Sequence, residues 1–460
     1  MSESKLGNEK IDLRELLLRP RGRIHFIGVL GISMSGIAEW CVNRGFVVSG
    51  SDEQYREGKR TPDGVRVKCE AEDEDIVGAD LVVYSLAIPY NNKERKIARK
   101  NKIPEVSRAE MLGAIMQLYE IRIGVSGTHG KSTTSALIYH ILKESGEEPT
   151  AFIGAKINAE KSYSIGSGKY FIYEACEYKD AFLQFSPTYA IITSVELDHT
   201  DYFACISSLR DSFARSTRGA DRVYISTDVE RYREIGERTD ARVIYYGNEC
   251  NSGYSYSVDS VSLSGSRFTV YRENERVGEF FIPIPGEYNI RNALAAIALL
   301  TDLGYGACQI NRALSTFFGI AGRLEYVGES SAGRIYLDYA HHPTAVRETL
   351  RLMKSLFDEV SVVFRPHTYT RTRDFAREFA DALAIADRTV ITDIYPAREE
   401  PIPGVSAEWL AAMIPGAQYK PLDEVAKWVL SDTGGTIVLM GAGDLSMVKE
   451  MILDKQGENK

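Results

Sequence analysis

Short apolar runs alternate with glycine-containing turns and amphipathic stretches along most of this chain, which is the pattern of strands followed by helices. A buried strand is predicted over residues 24–29, glycines follow at 28, 31 and 36, and the next helix runs to about residue 43. A second strand, "FVVSG", leads to Asp52. This order opens a Rossmann-like unit with an acid after its second strand, although the glycine spacing is not GxGxxG.

A second zone carries the segment "GVSGTHGKSTTSALI" between a strand and a helix. The standard P-loop has a glycine where this chain has Val125, but the ending Gly-x-x-Gly-Lys-Ser is present. Backbone N–H groups at such a helix start cradle phosphates. We therefore expect a nucleotide site in which Lys131 reaches the β and γ oxygens and Ser132 binds Mg²⁺.

A third zone repeats strand, polar turn and helix. It contains the segments "GRIYLDYAHHPTAV", "VSVVFRPH", "RTVITDIYP" and "TIVLMGAGD". This alternation predicts a third α/β domain with a mainly parallel sheet. Ligands of such sheets bind at the carboxyl ends of the strands, where these polar segments fall.

Candidate ligands follow two further predicted strands. Glu174 lies at the end of "KYFIYEA" and His199 follows "YAIITSV", and both are candidate Mg²⁺ ligands downstream of the phosphate turn. Five of the seven histidines, at 129, 199, 341, 342 and 367, lie in polar turns. No zinc-ligand spacing recurs among them, so the sequence predicts no zinc site. Arg371 is a candidate for bidentate contact with carboxylate or phosphate.

Composition narrows the class of protein. A length of 460 residues suggests roughly three domains. The net charge of -9 argues against non-specific nucleic-acid binding. The six cysteines form no CxxC pair, no signal-peptide pattern opens the chain, and no run approaches the roughly 20 apolar residues of a membrane span. We expect a cytoplasmic protein with small-molecule substrates, no nucleic acid and no membrane span, either a monomer or a homodimer.

Ordered motifs give the chain a resemblance to the Mur ligase family of peptidoglycan synthesis, over about residues 23–446. "GTHGKST" is similar to the variant P-loop of that family. The other similar segments, in order, are "IHFIGVLGISMSGIAE", "SRAEML", "EACEY", "ELDHTDYF", "GEYNIRNALAAIA", "DYAHHPT", "RPHTYTRTRDF", "DIYPAREEPIPGV" and "MGAGD". Each motif alone is weak, but the ordered set is specific, and "YPAREEPIPGV" is similar to the alanine-adding branch.

The resemblance implies three domains: 1–118 binding the UDP substrate, 119–321 binding ATP, and 322–460 binding the amino acid. The first and third are expected to be Rossmann-like, and the middle one a P-loop ATPase domain with a mostly parallel sheet. The implied reaction joins L-alanine to UDP-N-acetylmuramate with ATP and Mg²⁺. ATP phosphorylates the muramate carboxylate, and the alanine amine displaces phosphate from the acyl phosphate.

The resemblance also implies roles for individual residues. Lys131, Glu174 and His199 are the expected catalytic residues. The expected metal ligands are Ser132, Glu174 and His199. The expected ATP-contact positions are Gly127, Thr128, His129, Gly130, Lys131, Ser132, Thr133, Asn289, Asn292, Arg323 and Asp338. The expected UDP-substrate positions are Gly28, Gly31, Ser35, Asp52 and Arg108. The expected amino-acid end comprises His341, His367 and Arg371.

Several positions depart from the residue that is usual in the family. This chain has Leu30 where the family usually has Gly, Ser132 where Thr is commoner, and Ser194 where Asn is usual. It also has Tyr288 where His is usual and Thr368 where Arg is usual. Three alternatives stay open at the level of sequence: a recycling ligase that attaches a peptide to UDP-N-acetylmuramate, a nicotinamide-dependent oxidoreductase, and a catalytically inert ligase-like scaffold. The phosphate turn, with its separate candidate metal ligands, argues against the last two.

Overall fold

The computed structural model describes residues 12–450, apart from 20, 86, 158–160, 201, 249–252, 331–332, 398, 432–434, 442, 444 and 446–447. Four residues of the family-like motifs therefore lie outside the described part: Asp201, Arg398, Ala442 and Asp444. Three sheets follow one another along the chain, one in each zone of the sequence pattern. The predicted three-part α/β fold is confirmed.

The N-terminal part is a parallel sheet with helices in its crossovers, as the apolar strands and glycine-rich turns predict. Its strands are β1 Arg23–Ile27, β2 Val47–Ser51, β3 Arg66–Lys68, β4 Leu81–Tyr84 and β5 Glu105–Ser107. Its helices are α1 Leu13–Leu18, α2 Ile32–Asn43, α3 Asp73–Ile76, α4 Lys93–Lys100 and α5 Arg108–Met116. The sheet order is β3-β2-β1-β4-β5, the doubly wound arrangement in which ligands bind beyond the carboxyl ends of the strands.

The middle part has a larger, mixed sheet. Its strands are β6 Ile121–Ser126, β7 Thr150–Phe152, β8 Tyr163–Ser164, β9 Tyr170–Glu174, β10 Tyr189–Ile192, β11 Arg222–Ser226, β12 Arg242–Tyr246, β13 Gly253–Ser262, β14 Gly265–Arg272 and β15 Glu275–Ile282. Its helices are α6 Lys131–Glu144, α7 Ile206–Ser216, α8 Tyr232–Gly236, α9 Glu287–Asp302 and α10 Ala307–Leu314. Strand β6 lies between β9 and β10, parallel to both. The segments that follow these three strands therefore meet at one edge of the sheet.

The C-terminal part has a six-stranded sheet, parallel except for the pairing of its first two strands. Its strands are β16 Glu325–Ser330, β17 Gly333–Asp338, β18 Val360–Arg365, β19 Arg388–Ile391, β20 Gln418–Tyr419 and β21 Thr436–Gly441. Its helices are α11 Pro343–Leu356, α12 Tyr369–Asp374, α13 Ala376–Leu383, α14 Ala407–Ala412 and α15 Leu422–Ser431. Strand β21 separates β17 from β18, so the polar segments after β17 and β18 lie near each other.

Apolar packing joins the first two parts of the chain. One buried cluster contains Trp40 and Phe46 of the N-terminal part together with Tyr173 and Phe182 of the middle part. The Trp40 indole also donates to the hydroxyl of Tyr119 at 2.9 Å. The C-terminal part has separate apolar clusters on the two faces of its sheet. Among the described residues, no helix combines the length and the apolar character needed to cross a bilayer.

Candidate active site

The phosphate-type turn lies between β6 and α6, as predicted. Two of its glycines are required by the backbone, because Gly127 has φ 139° and Gly130 has φ 82°. A Cβ on Gly127 would lie 2.1 Å from the hydroxyl of Thr193, and one on Gly130 would lie 2.5 Å from the amide oxygen of Asn292. Helix α6 begins at Lys131, so its first N–H groups face the turn and suit an anion.

Lys131 is held at the turn by a buried carboxylate. Its Nζ lies 3.0 Å from Glu177 Oε2 and also contacts the carbonyl oxygen of Gly127. Burial by itself would lower the pKa of Lys131, but the negative charges around it, chiefly that of Glu177, raise the pKa above its usual value. Lys131 therefore stays protonated at neutral pH and presents a fixed positive charge.

The candidate metal ligands come from the ends of neighbouring strands. Glu174 ends β9 and accepts a hydrogen bond from the Gly154 N–H at 2.6 Å. His199 follows β10, has φ 52°, and stacks on Tyr178 with ring centroids 4.5 Å apart. The hydroxyl of Ser132 lies 3.4 Å from a guanidinium nitrogen of Arg323. The Glu174 carboxylate and the Ser132 hydroxyl are oxygen donors of the kind that Mg²⁺ prefers, and water would complete the coordination beside the His199 imidazole.

A cavity of about 560 Å³ opens between the middle and C-terminal parts. Its lining includes most of the sequence-predicted ATP and metal positions, namely Thr128, His129, Gly130, Lys131, Ser132, Thr133, Glu174, His199, Asn289, Asn292, Arg323, Asp338 and also His341. Residues from the two parts, up to about 200 positions apart in sequence, thus face one volume. This size suits a small-molecule site.

The positions expected to contact nucleotide are ordered by hydrogen bonds within the protein. Asn289 donates to the carbonyl oxygen of Pro285 at 2.7 Å. The amide oxygen of Asn292 accepts from the Thr134 hydroxyl at 3.4 Å. The carboxylate of Asp338 accepts from the Ala340 N–H at 2.9 Å, and burial raises the pKa of Asp338. These contacts fix the side chains before any ligand arrives.

Arg371 makes a buried ion pair across the two parts. Its Nη2 donates to both carboxylate oxygens of Asp198, at 2.7 and 2.9 Å, and its Nε donates to one of them at 3.1 Å. Burial opposes ionisation of Asp198, but the Arg371 guanidinium holds the pKa of that carboxyl well below its usual range. Nη1 contacts His367 Nδ1. The guanidinium is therefore engaged with Asp198, and its predicted contact with a substrate carboxylate stays a prediction.

The two histidines of the expected amino-acid end lie beside this ion pair. The rings of His341 and His367 are 5.4 Å apart, and His341 Nδ1 lies 2.8 Å from the Tyr339 carbonyl oxygen. Burial, followed by the Arg371 charge, lowers the pKa of both imidazoles, that of His367 to about 4. Both are neutral at neutral pH.

The residues expected at the UDP end surround the turn between β1 and α2. Asp52 accepts from the Leu30 N–H at 2.9 Å, and Ser35 donates to the Val29 carbonyl oxygen at 2.9 Å. Arg108 reaches the same turn and donates to the hydroxyl of Ser33 at 3.1 Å. Gly28 has φ 81°, and Gly31 precedes α2 as its N-cap. The structure thus brings all five together in the N-terminal part.

Family comparisons cover nearly the whole chain. Profiles match residues 23–120 (Mur ligase family, catalytic domain), 125–300 (Mur ligase middle domain) and 322–443 (Mur ligase, glutamate ligase domain). A protein of Agathobacter rectalis named UDP-N-acetylmuramate–L-alanine ligase is 37% identical over 94% of this chain and 98% of its own length.

The chain belongs to the Mur ligase family.

Solved structures of Mur ligases agree with this. The UDP-N-acetylmuramate–alanine ligase of Thermotoga maritima matches with a TM-score of 0.78 and 26% identity, over 95% of this chain and 100% of that one. A murein peptide ligase of Psychrobacter arcticus matches with a TM-score of 0.67 and 21% identity, over 95% of this chain and 99% of that one, which shows the shared fold.

Departures from the usual Mur ligase residues have local structural roles here. The Ser194 hydroxyl accepts from the His129 N–H at 2.7 Å and so supports the phosphate turn. Thr368 has φ 64° and caps α12 by accepting from the Arg371 N–H at 3.4 Å. Leu30 keeps the backbone contact with Asp52. These three departures therefore each take part in the hydrogen bonding of a local turn.

Sequence reasoning missed three acidic residues of this Mur ligase. Glu177 and Asp198 are 2% and 7% exposed, and each pairs with a predicted cation, Lys131 and Arg371. Glu196 contacts the C-terminal part through the Thr344 hydroxyl at 2.5 Å. All three stand within three residues of a predicted ligand, so the only sequence signal was the density of acids in "EACEYKD" and "ELDH".

Proposed function

We propose that this chain joins L-alanine to UDP-N-acetylmuramate in an ATP-dependent reaction of peptidoglycan precursor synthesis. The observation that carries the proposal is the shared cavity, in which a phosphate-binding turn with a protonated lysine faces a histidine-rich edge of the C-terminal sheet. The name and the full-length similarity of the Agathobacter rectalis relative support the same reaction. Because ATP is the energy source, we expect the reaction in the cytoplasm.

The three parts of the chain divide the substrates among them. We assign residues 1–118 to the UDP substrate, 119–321 to ATP and 322–460 to the amino acid. The turn around Gly28 and Asp52 lies at the carboxyl ends of the N-terminal strands, where doubly wound sheets bind nucleotides. The turn at Lys131 serves the triphosphate, and Asn289, Asn292, Arg323 and Asp338 serve the rest of ATP.

The chemistry proceeds in two steps. An oxygen of the muramate carboxylate attacks the γ-phosphorus of ATP, ADP leaves, and an acyl phosphate forms. The alanine amine then attacks the acyl carbon, the phosphate leaves as the C–O bond breaks, and the amine loses a proton as the amide forms. Lys131 neutralises charge on the phosphoryl group during transfer, since such transition states depend on positioning and positive charge. The C-terminal part covers the cavity and keeps water from the acyl phosphate.

Ser132, Glu174 and His199 are the residues that would hold Mg²⁺. When bound, the ion supplies charge neutralisation between the transferring phosphate groups. The protein fixes this donor set beforehand, since Glu174 is held by the Gly154 N–H and His199 by Tyr178.

The amino-acid end is assigned to His341, His367 and Arg371. Because the lowered pKa values keep both imidazoles neutral, each ring can donate one hydrogen bond and accept another, which suits them to orient the bound amino acid. A contact of Arg371 with the alanine carboxylate requires nitrogens beyond those that bind Asp198. We therefore assign Arg371 first to joining the two parts and second to the substrate.

Phosphate release tests the proposed reaction. We expect release from ATP only when UDP-N-acetylmuramate and L-alanine are both present, because the acyl phosphate needs one substrate to form and the other to be consumed. The assay omits each substrate in turn and replaces alanine by a tripeptide. Equal release without one substrate contradicts the ligase, and a preference for the tripeptide supports the recycling ligase instead.

Metal dependence tests the candidate ligands. Replacing Glu174 or His199 by alanine should raise the Mg²⁺ concentration for half-maximal activity by about tenfold or more, since ligand loss weakens a site of few protein ligands. A Mg²⁺ titration of each variant measures this shift. The matched control is Glu144→Ala, an exposed residue at the C-terminal end of α6 that does not line the cavity. An unchanged titration for both ligand variants would assign Glu174 and His199 a structural role.

A further inference from the structure

A second cluster of metal-type side chains lies in the cavity, apart from the Mg²⁺ candidates. It comprises His129 of the phosphate turn, Glu196 after β10, and His342, which precedes α11. Glu196 Oε2 lies 3.7 Å from His129 Nε2 and 3.6 Å from His342 Nδ1. One ligand atom from each of the three residues lies within 4.8 Å of the others.

These separations are close to those of a bound transition metal. Bonds of about 2.1 Å at tetrahedral angles place neighbouring ligand atoms about 3.4 Å apart. The two contacts to Glu196 already approach this value, and the two imidazoles need to close by at most about 1.4 Å, which side-chain rotation supplies. Two imidazole nitrogens and one carboxylate oxygen favour zinc, cobalt or nickel over Mg²⁺, which prefers oxygen ligands.

The Nε2 atom of each imidazole in this cluster lacks a hydrogen-bond partner, whereas His342 Nδ1 accepts from the Thr344 N–H at 3.4 Å. His129 Nε2 and His342 Nε2 are both buried, and neither makes a hydrogen bond. His342 is only 4% exposed, so it cannot recover this loss from bulk water. Two buried ring nitrogens without a partner, one in each of two parts of the chain, are expected where a ligand completes the arrangement.

The protonation states already suit a metal. Burial raises the pKa of Glu196, but His129 and the Thr344 hydroxyl outweigh it, and the pKa falls to about 2. Burial, followed by His129, lowers the pKa of His342 to about 4. At neutral pH the carboxylate is therefore ionised and His342 is neutral, so binding releases no proton from either.

We propose that His129, Glu196 and His342 form a binding site for a divalent transition metal of the zinc class, with three protein ligands and a fourth position open to the cavity. The site joins the phosphate turn to the start of α11 and so ties the middle part to the C-terminal part. It is separate from the Mg²⁺ candidates and does not depend on the identity of the amino acid.

Cobalt binding tests the site directly. The full-length protein without nucleotide is titrated with Co²⁺, whose visible absorption becomes intense when it is bound in a tetrahedral site. We expect one equivalent to give this absorption. Glu196→Gln and His342→Gln should each weaken binding by more than about tenfold, the loss that even outer-shell changes produce. His199→Gln, which alters the other candidate site, should bind Co²⁺ like the parent protein.

The design separates loss of a ligand from loss of the fold. Thermal unfolding of each variant in the presence of a chelator reports its stability without metal. Glu196→Gln decides the matter if His342→Gln does not fold, because the amide is isosteric with the carboxylate and keeps an oxygen for the Thr344 hydroxyl. The proposal is overturned if the parent shows no tetrahedral absorption, or if folded Glu196→Gln binds Co²⁺ as tightly as the parent protein.

Discussion

Replacing Lys131 by alanine is expected to lower turnover by about 10²-fold or more. The Nζ charge is fixed at the phosphate turn by Glu177, and removing a preorganised charge from a phosphoryl-transfer site removes a large part of the transition-state stabilisation. The same change leaves the Glu177 carboxylate, only 2% exposed, without its partner, and breaking a buried pair from one side costs about 3 kcal/mol. Phosphate-release kinetics and thermal unfolding measure the two effects.

A double variant separates catalysis from stability. Lys131→Ala combined with Glu177→Gln removes the unpaired charge, so we expect stability to recover while turnover stays low. Lys143→Ala, an exposed position on the same helix, is the matched control and should behave like the parent protein. Normal turnover in a folded Lys131→Ala protein would remove the phosphate role from this turn.

Breaking the ion pair between Asp198 and Arg371 is expected to lower kcat/KM for every substrate by at least about 10²-fold. The pair is buried, with side chains 9% and 7% exposed, and it joins the middle part to the C-terminal part. One-sided loss of such a pair costs about 3–5 kcal/mol. If this cost falls on the contact between the two parts, the fraction of molecules with an assembled site, and with it the rate, falls about tenfold for each 1.4 kcal/mol by which the separated state becomes favoured. Asp198→Asn tests this by removing the negative charge of the pair. Arg371→Lys tests the need for the guanidinium geometry, because lysine keeps the charge but loses the fork.

The effect of each variant on the kinetic constants for each substrate distinguishes two roles of Arg371. If the residue joins the two parts, the two single variants lower the rate alike and the double variant adds little, since residues in one ion pair are coupled. If it binds mainly the alanine carboxylate, Arg371→Lys raises the alanine KM and leaves ATP affinity unchanged, whereas Asp198→Asn does neither. Arg373→Lys, whose side chain is half exposed, is the control.

Ligands of parallel sheets bind at the carboxyl ends of the strands, and this rule explains which parts of the candidate site the sequence could predict. Alternating apolar runs located β6, β9 and β10, and the parallel order of these strands is what gathers the phosphate turn, Glu174 and His199 at one edge. The antiparallel ribbon β13–β15 went unpredicted, because its strands alternate with many polar residues and carry no motif.

Contacts between segments that are far apart in the sequence could not be predicted from local sequence patterns. Nothing in "EACEYKD" indicates that Glu177, rather than Glu174, turns towards Lys131, because that depends on an irregular segment with left-handed Lys179 and Asp180. Spacing likewise predicted no zinc site, and the site proposed above pairs His129 with His342, which are 213 positions apart by their numbers but have ring centroids 4.8 Å apart. The spacing of residues along the sequence can reveal metal ligands that lie within one helix, strand or turn. It cannot reveal ligands that come from two different sheets.

The apolar cluster shared by the N-terminal and middle parts has a mechanical consequence. Because Trp40 and Phe46 pack in the same core as Tyr173 and Phe182, relative rotation of these two parts would expose apolar surface. The C-terminal part is joined to them by hydrogen bonds and ion pairs such as Arg371 with Asp198, which can be exchanged for water at lower cost. We therefore expect the N-terminal and middle parts to move as one body, and the C-terminal part to move relative to them when substrates enter.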